Sequence, residues 1–402
     1  MTDAVGHIAH RRLGLSGTAY YGVLAALGLL ALLGLAAAWY MEHNGHWVTG
    51  MNNQIVWGMP HVFAIFLIVA ASGVLNVASI GSVFGRAAYK PLARLSGLLA
   101  IALLIGGLAV LVLDLGRPER LIVAMTHFNF RSIFAWNIFL YTGFLAVVVI
   151  YLWTLMERRM NGWVPVAGMA AFLWRLGLTS GTGLIFGFLV AREAYDAAVM
   201  APLFIAMSFA FGLAIFVLVL AMVEIGDDGA AEHALRCRLG RLLAVFVAIT
   251  LYFATVQHLT NLYAAEHTGV ERFLLLEGGS ISALFWLGQV GLGALAPLAV
   301  LLWHNRELTK ARLCLAAGLV VLGGLSQVYV IVIGGQAYPL NLFPGLRVGS
   351  AFFDGVVHTY APGLAEIVLG LGGCAIAGLI TLVGLRVLDF LPRRLAAAAD
   401  DG

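Results

Sequence analysis

Residues 114–136 read DLGRPERLIVAMTHFNFRSIFAW and separate two long apolar runs. Gly116-Arg117-Pro118 predicts a turn, because proline fixes φ and cannot continue the preceding helix. The stretch concentrates polar side chains in a chain that has few of them elsewhere: Asp114, Arg117, Glu119, Arg120, His127, Asn129, Arg131 and Ser132. We therefore expect a loop at a membrane surface that carries more chemistry than a simple connection requires.

The composition places the chain in a membrane. Of its 402 residues, 62% are hydrophobic and 11% are charged, which is too apolar for a soluble domain of this length. Apolar runs of about 20 residues recur, and each can cross the hydrocarbon core. Backbone groups in lipid must be satisfied internally, and the runs are continuous rather than alternating, so helices are predicted and a β-barrel is not.

We predict an all-α, polytopic integral membrane bundle of about ten spans. No soluble domain larger than a short loop fits between the apolar runs, so residues 1–402 are expected to form one transmembrane domain. The expected spans are 20–41, 56–84, 91–113, 133–156, 164–191, 197–224, 240–264, 280–304, 312–334 and 360–388.

Basic residues predict the orientation. Of the 23 lysines and arginines, 16 fall on the side of the amino terminus and six on the opposite side, while Arg175 lies inside a span. The positive-inside rule therefore predicts cytoplasmic termini, with short tails at 1–18 and 390–402. The first apolar run follows Arg11-Arg12 and no small-residue cleavage site clearly ends it, so we expect a retained helix rather than a signal peptide.

The three cysteines, Cys237, Cys314 and Cys374, are far apart in sequence and form no CxxC motif. An iron–sulfur cluster needs about four thiolates. We therefore expect no cluster held by this chain alone.

The outer connections are richer in chemistry than the cytoplasmic ones. His61, Gln257, His258 and Glu366 fall within spans, where polar groups are costly and usually functional. His61 follows Trp57-Gly58-Met59-Pro60, in which the tryptophan suits the membrane interface and the proline suits a first helical turn. His61 is thus either an ordinary histidine at the membrane interface or a hydrogen-bonding partner of a bound molecule.

The last outer connection, about 335–359, is long and contains several glycines and two prolines. Such a length favours a folded cap over a linker. Its polar residues are Gln336, Tyr338, Asn341, Arg347, Asp354 and His358.

Asp114 and Arg117 are three residues apart and can pair across a turn. The pair either fixes the loop, or the carboxylate accepts protons beside a quinone headgroup while Arg117 holds it in place. Quinone reduction takes two electrons and two protons, so its site needs a hydrogen-bond donor at each carbonyl oxygen and a proton route to water. Histidines and carboxylates gathered at one membrane surface meet both needs.

Gln257, His258 and Asn261 span one helical turn near the outer end of the seventh span. His61 and His258 are expected at similar depth, and two such histidines can ligate a b-type haem. No repeated paired-histidine pattern on two helices supports haem, so a quinone role is preferred.

Arg175 is the basic residue deepest in a span, and it needs a partner or water. Glu366 and Asp114 are the candidate partners. The sequence leaves two interpretations open: a buried structural pair, or part of a proton path that includes Arg175 and Glu366.

The motifs resemble a known family. The helix WGMPHVFAIFLIVAASGVLNVASIGSVFG, the motif D-L-G-R-P-x-R, the following HFN-x-RS-x-x-x-W and the span PLFIAMSFAFGLAIF resemble the NrfD/PsrC family. With about ten spans, the protein is most similar to the HybB- and DsrP-like branch. The resemblance covers nearly the whole chain, and the DLGRP stretch is its most specific part.

The resemblance implies a subunit without haem or an iron–sulfur cluster of its own. It would exchange electrons between menaquinone or ubiquinone and a partner iron–sulfur subunit on the periplasmic face of the bacterial inner membrane. The quinone pocket would lie beside Asp114. Its expected residues are Trp57, His61, Asp114, Arg117, Arg120, His127, Ser132 and Gln257, with Asp114, His61 and His258 exchanging protons.

Two other function classes stay open. A secondary transporter places its sites near the midplane on broken helices, whereas the polar groups here gather toward one face. A haem-bearing cytochrome subunit would show an absorption band. A quinone-reactive subunit should be inert without its partner, and its proton translocation is not decided by the sequence.

Overall fold

The computed structural model describes residues 9–14, 17–223, 229–303, 308–340 and 356–393. Within these ranges ten helices are long and apolar enough to cross a membrane. They are α1 (Thr18–Asn44), α2 (Met59–Ser82), α3 (Ala87–Leu113), α4 (Ile133–Met156), α5 (Arg158–Gly187), α6 (Met200–Met222), α7 (Gly229–Tyr263), α8 (Ser280–Leu302), α9 (Lys310–Ala337) and α10 (Leu364–Val387).

The predicted all-α, multi-pass membrane bundle is confirmed, and the ten spans match in order and approximate position. The largest difference is at α7, which begins at Gly229 rather than near residue 240. Its first turns are polar and carry the ion pair between Glu232 and Arg236, with 2.6 Å between Oε1 and NH1. A hydropathy pattern detects the span but not a helical extension into the polar layer.

The spans alternate in direction, so their connections gather at two ends. We call the end opposite the two termini the distal end. Its described connections are 45–58, 114–132, 188–199, 264–279, 338–340 and 356–363. At the other end the strands β1 (His10–Arg11) and β2 (Leu391–Pro392) pair antiparallel.

Shorter helical elements occupy the distal connections or interrupt the spans. The distal ones are His46–Val48, Pro118–Arg120, Leu121–Thr126, Ala265–His267 and Thr268–Arg272. Phe273–Glu277, Leu284–Leu295 in α8 and Val330–Gly334 in α9 are π-helical. Such wide turns are frequent at functional sites.

Helix α2 lies at the centre of the bundle and packs against α3, α5, α6, α9 and α10. Glycine makes its crossing with α6 possible. A Cβ atom built on Gly73 would collide with the carbonyl oxygen of Ser208, and one on Gly212 would collide with the backbone of Gly73. Without a hydrophobic drive between helices in lipid, such close backbone contact is a main source of association.

The peripheral helices use the same device. A Cβ on Gly34 of α1 would lie 2.8 Å from Cα of Gly372 in α10. Gly293 of α8 and Gly323 of α9 are equally close, and a Cβ on either would collide with the other. These glycines therefore allow close packing of the helices.

Several residues considered above lie outside the described ranges. They are Asn341, Arg347 and Asp354. The expected folded cap falls largely among them, so it stays a prediction.

Candidate functional site

Asp114 follows the last residue of α3 at the distal end, and its side chain is fully buried. Gly116 stops the helix with φ of 72°, a backbone conformation that glycine adopts freely. The carboxylate faces the first turn of α2, where Oδ2 of Asp114 lies 2.9 Å from Nδ1 of His61. The His61 side chain is 14% exposed, so the pair is reachable from one side.

The His61–Asp114 contact is short but poorly aligned. Both carboxylate oxygens of Asp114 and Nδ1 of His61 are buried, and none of them has a well-formed hydrogen bond within the described part of the chain. A buried polar group without a partner costs free energy, and a buried ion costs several kcal/mol. Because neither oxygen of Asp114 is used in an aligned hydrogen bond, the carboxylate can accept hydrogen bonds from a bound molecule.

Aromatic rings form one wall beside His61. The Trp57 ring stacks on the His61 ring with a centroid distance of 6.2 Å and an interplanar angle of 26°. Trp57 also meets the edges of Phe134 in α4 at 6.2 Å and Phe186 in α5 at 5.8 Å. The site thus combines a flat apolar surface with two ionisable groups, which suits a flat ring with polar edges.

Amide side chains hold the segment that carries Trp57. Oε1 of Gln336 accepts from the backbone N–H groups of Val56 and Trp57 at 2.9 and 3.0 Å, and its Nε2 donates to the Trp57 carbonyl at 3.0 Å. Arg192 donates to the carbonyls of Gln54 and Gln336 at 2.7 and 3.1 Å. This network fixes the position of Trp57 and hence of the ring against His61.

Burial lowers the pKa of Arg192, because the charged form loses water. The two carbonyl oxygens that it binds compensate part of that loss. Arg192 thus supports the segment that carries Trp57.

A second histidine lies against the turn that follows Asp114. A Cβ built on Gly116 would be 3.2 Å from Cε1 of His46. Nε2 of His46 is buried and has no hydrogen-bond partner among the described residues. His46 therefore borders the Asp114 turn, a position that the sequence did not reveal.

The expected ion pair between Asp114 and Arg117 is wrong. Arg117 is exposed, and the ion pairs of the described residues do not include one between these two side chains. The turn at Gly116 directs the chain away after Asp114, so proximity in sequence does not become proximity of side chains. His61 occupies the place next to the carboxylate.

The other predicted pocket residues of this stretch make no hydrogen bond or ion pair with Asp114 within the described ranges. Arg120 and His127 are exposed, and Nδ1 of His127 is 3.0 Å from the Thr126 hydroxyl oxygen. The backbone N–H of Ser132, at the start of α4, donates to the carbonyl of Asn129 at 2.9 Å. Their assignment to a quinone pocket stays a prediction.

Glu366 is a second buried carboxylate at the distal end, in the first turn of α10. Its Oε2 accepts from the backbone N–H groups of Gly50 and Gly363, both at 2.7 Å. Its Oε1 accepts from the hydroxyl of Tyr360 at 2.6 Å, and that hydroxyl accepts from the backbone N–H of Met59 at 2.6 Å. Burial and the hydrogen bond to Glu366 raise the pKa of Tyr360.

His258 has a different partner and a different surrounding from His61. Its Nδ1 lies 2.7 Å from Oε2 of Glu271, and Asn261 donates to Oε1 of the same carboxylate at 2.9 Å. The Glu271 carboxylate is fully buried. The structure thus builds a His–Glu–Asn cluster at the distal end of α7 and does not join it to Asp114.

Gln257 and His258 line a cavity of about 20 Å³ with Gln289 and Gln327. A second cavity of about 20 Å³, between α6, α7, α8 and α9, shares Gln289 and Gln327 and includes Thr250. Each has room for one water molecule. Most of the lining is apolar, and Thr250, Gln289 and Gln327 supply polar side chains on the inward side of His258. We call these three side chains the polar column.

Arg175 is buried at the middle of α5, and neither candidate partner pairs with it. Its guanidinium lies over the rings of Phe172 and Phe209, at 4.9 and 5.1 Å from their centroids. Its Nε and one terminal nitrogen, NH1, have no hydrogen-bond partner within the described ranges. The predicted ion pair with Glu366 or Asp114 is therefore wrong, and the cation rests on aromatic faces.

Sequence reasoning missed Glu271, Tyr360 and His46 as members of these clusters. Glu271 stands directly before Arg272, so it looks like half of a solvated pair. Its separation from His258 is 13 residues, across a chain reversal that no local spacing reveals. Tyr360 stands six residues before Glu366, and an aromatic hydroxyl near a carboxylate at a helix start was the available signal.

Comparison with known proteins gives a consistent result. Residues 47–339 match the family described as "Polysulphide reductase, NrfD". The protein is 28% identical to an Hdr-like menaquinol oxidoreductase integral membrane subunit of Archaeoglobus fulgidus, over 93% of its own length and 94% of the relative. It is 29% identical to the membrane subunit of a putative dimethyl sulfoxide reductase of Halobacterium salinarum, over 95% and 93% of the two lengths.

A more distant relative belongs to the polysulfide reductase of Wolinella succinogenes. It is 22% identical over 71% of the present protein and 96% of its own length. The names of these three relatives describe them as subunits of oxidoreductases. The likeness extends across the central helices that carry Trp57, His61 and Asp114.

Proposed function

The chain belongs to the NrfD family, and from this membership we propose that it is the quinone-reactive membrane subunit of a respiratory or sulfur-metabolism redox complex. The observation that carries the proposal is the buried Asp114 carboxylate, 2.9 Å from Nδ1 of His61 and without an aligned hydrogen-bond donor among the described residues. The names of two relatives, from a menaquinol oxidoreductase and a polysulfide reductase, support it.

The proposed site binds the quinone headgroup beside Trp57, against the His61–Asp114 pair. Oxidation of a quinol releases two electrons and two protons. Asp114 accepts the two hydroxyl protons one after the other, and His61, whose side chain is partly exposed, takes each proton from Asp114 and passes it to water. The electrons pass to an acceptor in a partner subunit. In the reverse direction the same groups donate protons to the reduced quinone.

We propose that the distal end faces the periplasm and that a partner iron–sulfur subunit docks there. The excess of basic residues at the other end supports this orientation. Distal ion pairs, such as Arg272 with Glu277 at 2.6 Å, provide polar docking surface away from the Asp114 turn. The proposed location is the bacterial inner membrane.

A proton route through the protein is the finer part of the proposal. The His258–Glu271 pair and the polar column of Thr250, Gln289 and Gln327 support a route along α7. Glu366 is a poor relay, because backbone donors and Tyr360 already satisfy its oxygens. In sealed vesicles, a Gln289→Leu variant should retain quinol-linked electron transfer and lose any proton movement coupled to it.

The haem alternative has weaker support in the geometry. A haem ligated by His61 and His258 needs both imidazoles on opposite faces of one iron. His61 and His258 instead belong to separate clusters, beside Asp114 and Glu271, and no hydrogen bond or ring contact of the described residues joins the two clusters. The rings of Trp57, Phe186 and Tyr195 form a series of contacts leading away from His61.

The deciding experiment replaces Asp114 in the assembled complex. Asp114→Asn removes the proton acceptor at nearly constant shape and should lower quinol-linked electron transfer by about 100-fold or more, while the complex still assembles. Glu119→Gln, an exposed carboxylate in the same connection, is the matched control and should have no effect. Activity near wild type in assembled Asp114→Asn would refute the proton role of Asp114.

A further inference from the structure

The connection from α3 to α4 exposes apolar side chains. Its short helix Leu121–Thr126 reads LIVAMT, and Ile122 and Val123 are 61% and 55% exposed. Phe128 and Phe130 follow and are also exposed. Exposed apolar groups in continuous sequence are unfavourable in water, so this segment requires an apolar partner or lipid.

The segment folds back along α4 rather than projecting beyond it. The rings of Phe128 and Phe130 contact the ring of Phe139, with centroid distances of 4.9 and 5.7 Å. Nε1 of Trp136 donates to the Phe130 carbonyl at 2.6 Å. Phe139 is six residues after Ile133, the first residue of α4, so it lies about 9 Å inside the helix end along its axis.

Helix α4 faces lipid at this place. One third of the residues in its most apolar window are buried within the bundle, and Phe139 itself is 42% exposed. The aromatic cluster of Phe128, Phe130 and Phe139 therefore continues the lipid-facing surface of the span. Arg117, Arg120 and Arg131 flank it in sequence and are exposed. Arginines beside an apolar surface are suited to bind lipid phosphates.

We propose that residues 117–131 lie in the lipid interface of the distal leaflet, with Ile122, Val123, Phe128 and Phe130 among the acyl chains and the three arginines at the phosphates. The occupant of this surface is the bilayer, because the surface is continuous with the lipid-facing side of α4 and carries a matching charge. The segment is too short to span the membrane and lies along it.

The segment borders the lateral approach to the candidate site. Phe134, four residues after Phe130, is 47% exposed, and its ring meets Trp57, which stacks on His61. A quinone tail that leaves the headgroup site past Phe134 therefore passes beneath residues 121–130. This extension rests on the proposed function, whereas the immersion of the segment does not.

The immersion is tested with a nitroxide label on Val123→Cys in the full protein in nanodiscs, with the three native cysteines replaced by serine. Oxygen should relax the label more strongly than a water-soluble nickel chelate does. Val149→Cys, exposed within α4, is the lipid control, and Asn53→Cys, exposed in another distal connection, is the water control. Nickel accessibility like that of Asn53 would overturn the proposal.

The complex provides a second comparison. If the partner subunit covers this surface, the Val123 label loses both accessibilities when the complex assembles, and the bilayer assignment is wrong. An unchanged preference for oxygen in the assembled complex supports it.

The tail route is tested with two substrates. Val123→Asp should raise the KM for a long-tailed quinol several-fold and leave a short-chain quinol unaffected. If both KM values stay at wild type while Asp114→Asn abolishes activity, the tail route is wrong and the proposed function stands. If Asp114→Asn retains activity, the proposed function fails, and the label result still decides immersion independently.

Discussion

The hydroxyl of Tyr360 and the carboxylate of Glu366 are 2.6 Å apart, and the same hydroxyl accepts a hydrogen bond from the backbone of Met59, two residues before His61. The distal end thus contains two buried carboxylates with opposite environments. The structure surrounds Glu366 with donors, whereas Asp114 has no aligned donor among the described residues. The first is suited to hold the chain in place, and the second is suited to bind and exchange protons.

Glu366→Gln should destabilise the fold more than it changes the chemistry. In this variant the donors of Gly50, Tyr360 and Gly363 face a neutral amide. Hydrogen bonds to a charged group contribute roughly 1.5–3 kcal/mol each to stability, and the variant loses part of this. We expect a lower thermal midpoint in detergent and little change in the pH dependence of turnover. A variant with wild-type stability and altered pH dependence would instead support the proton-path role predicted from the sequence.

The raised pKa of Tyr360 gives a sign for stability against pH. The folded state holds the phenolic proton more tightly than the unfolded state, whose tyrosine pKa is about 10. The protonated Tyr360 therefore contributes its full stabilisation of the folded state below about pH 10, and this stabilisation is lost as the pH rises further. Thermal midpoints measured upward from about pH 9 should fall more steeply in the wild type than in Tyr360→Phe, and equal slopes would contradict the assignment.

His61 and Asp114 should behave as one unit. We expect His61→Asn to lower quinol-linked turnover by about 10²- to 10⁴-fold, the range for a lost general base. Residues that act together are non-additive, so His61→Asn combined with Asp114→Asn should be hardly worse than either alone. Steady-state turnover of the three assembled variants measures the coupling, and fully multiplicative losses would separate the roles.

Glu271→Gln should disturb the His258 cluster without affecting the quinone site. The neutral amide weakens the contact to His258, so local stability at the distal end of α7 should decrease. Hydrogen exchange of residues 257–272 measures this loss. Equal reductions of quinol turnover in Glu271→Gln and Asp114→Asn would show that the two histidine clusters belong to one site after all.

The α2–α6 crossing should not tolerate a methyl group. A Cβ at Gly73 collides with the Ser208 carbonyl, so Gly73→Ala should force the helices apart and reduce the yield of folded protein. Gly22→Ala in α1 is the matched control, because a Cβ there meets no heavy atom within 4 Å. Folded yield by size-exclusion chromatography in mild detergent compares them, and equal yields would refute the packing argument.

The fold was largely predictable from sequence, because lipid requires each span to satisfy its own backbone and so leaves a clear apolar pattern. Asp114 and His61 were recognised as candidates for the same reason, since polar groups at the ends of apolar helices are conspicuous. Their mutual contact was not recognised, because it joins α2 to the end of α3 and residue spacing does not encode helix neighbours.

The errors have local causes. A spacing of three favours Arg117 as the partner of Asp114, but the positive φ of Gly116 separates them. For Arg175 the sequence indicates a partner or water, with Glu366 and Asp114 as candidates, but its guanidinium lies over the rings of Phe172 and Phe209 on two helices. In both cases the decisive contact depends on backbone direction or on a neighbouring helix, which sequence separation alone does not reveal.

The pairing of α1 with α10 and of β1 with β2 has a consequence for how the sequence can be rearranged. Residue His10 lies opposite Pro392, and Leu13 donates from its backbone to the carbonyl of Leu385 at 2.8 Å. The two ends of the described chain therefore lie next to each other, so the helices follow one another in a closed order. A circular permutant that joins these neighbouring ends by a short linker, and opens the chain between two other helices, would keep each helix neighbour that places His61 beside Asp114.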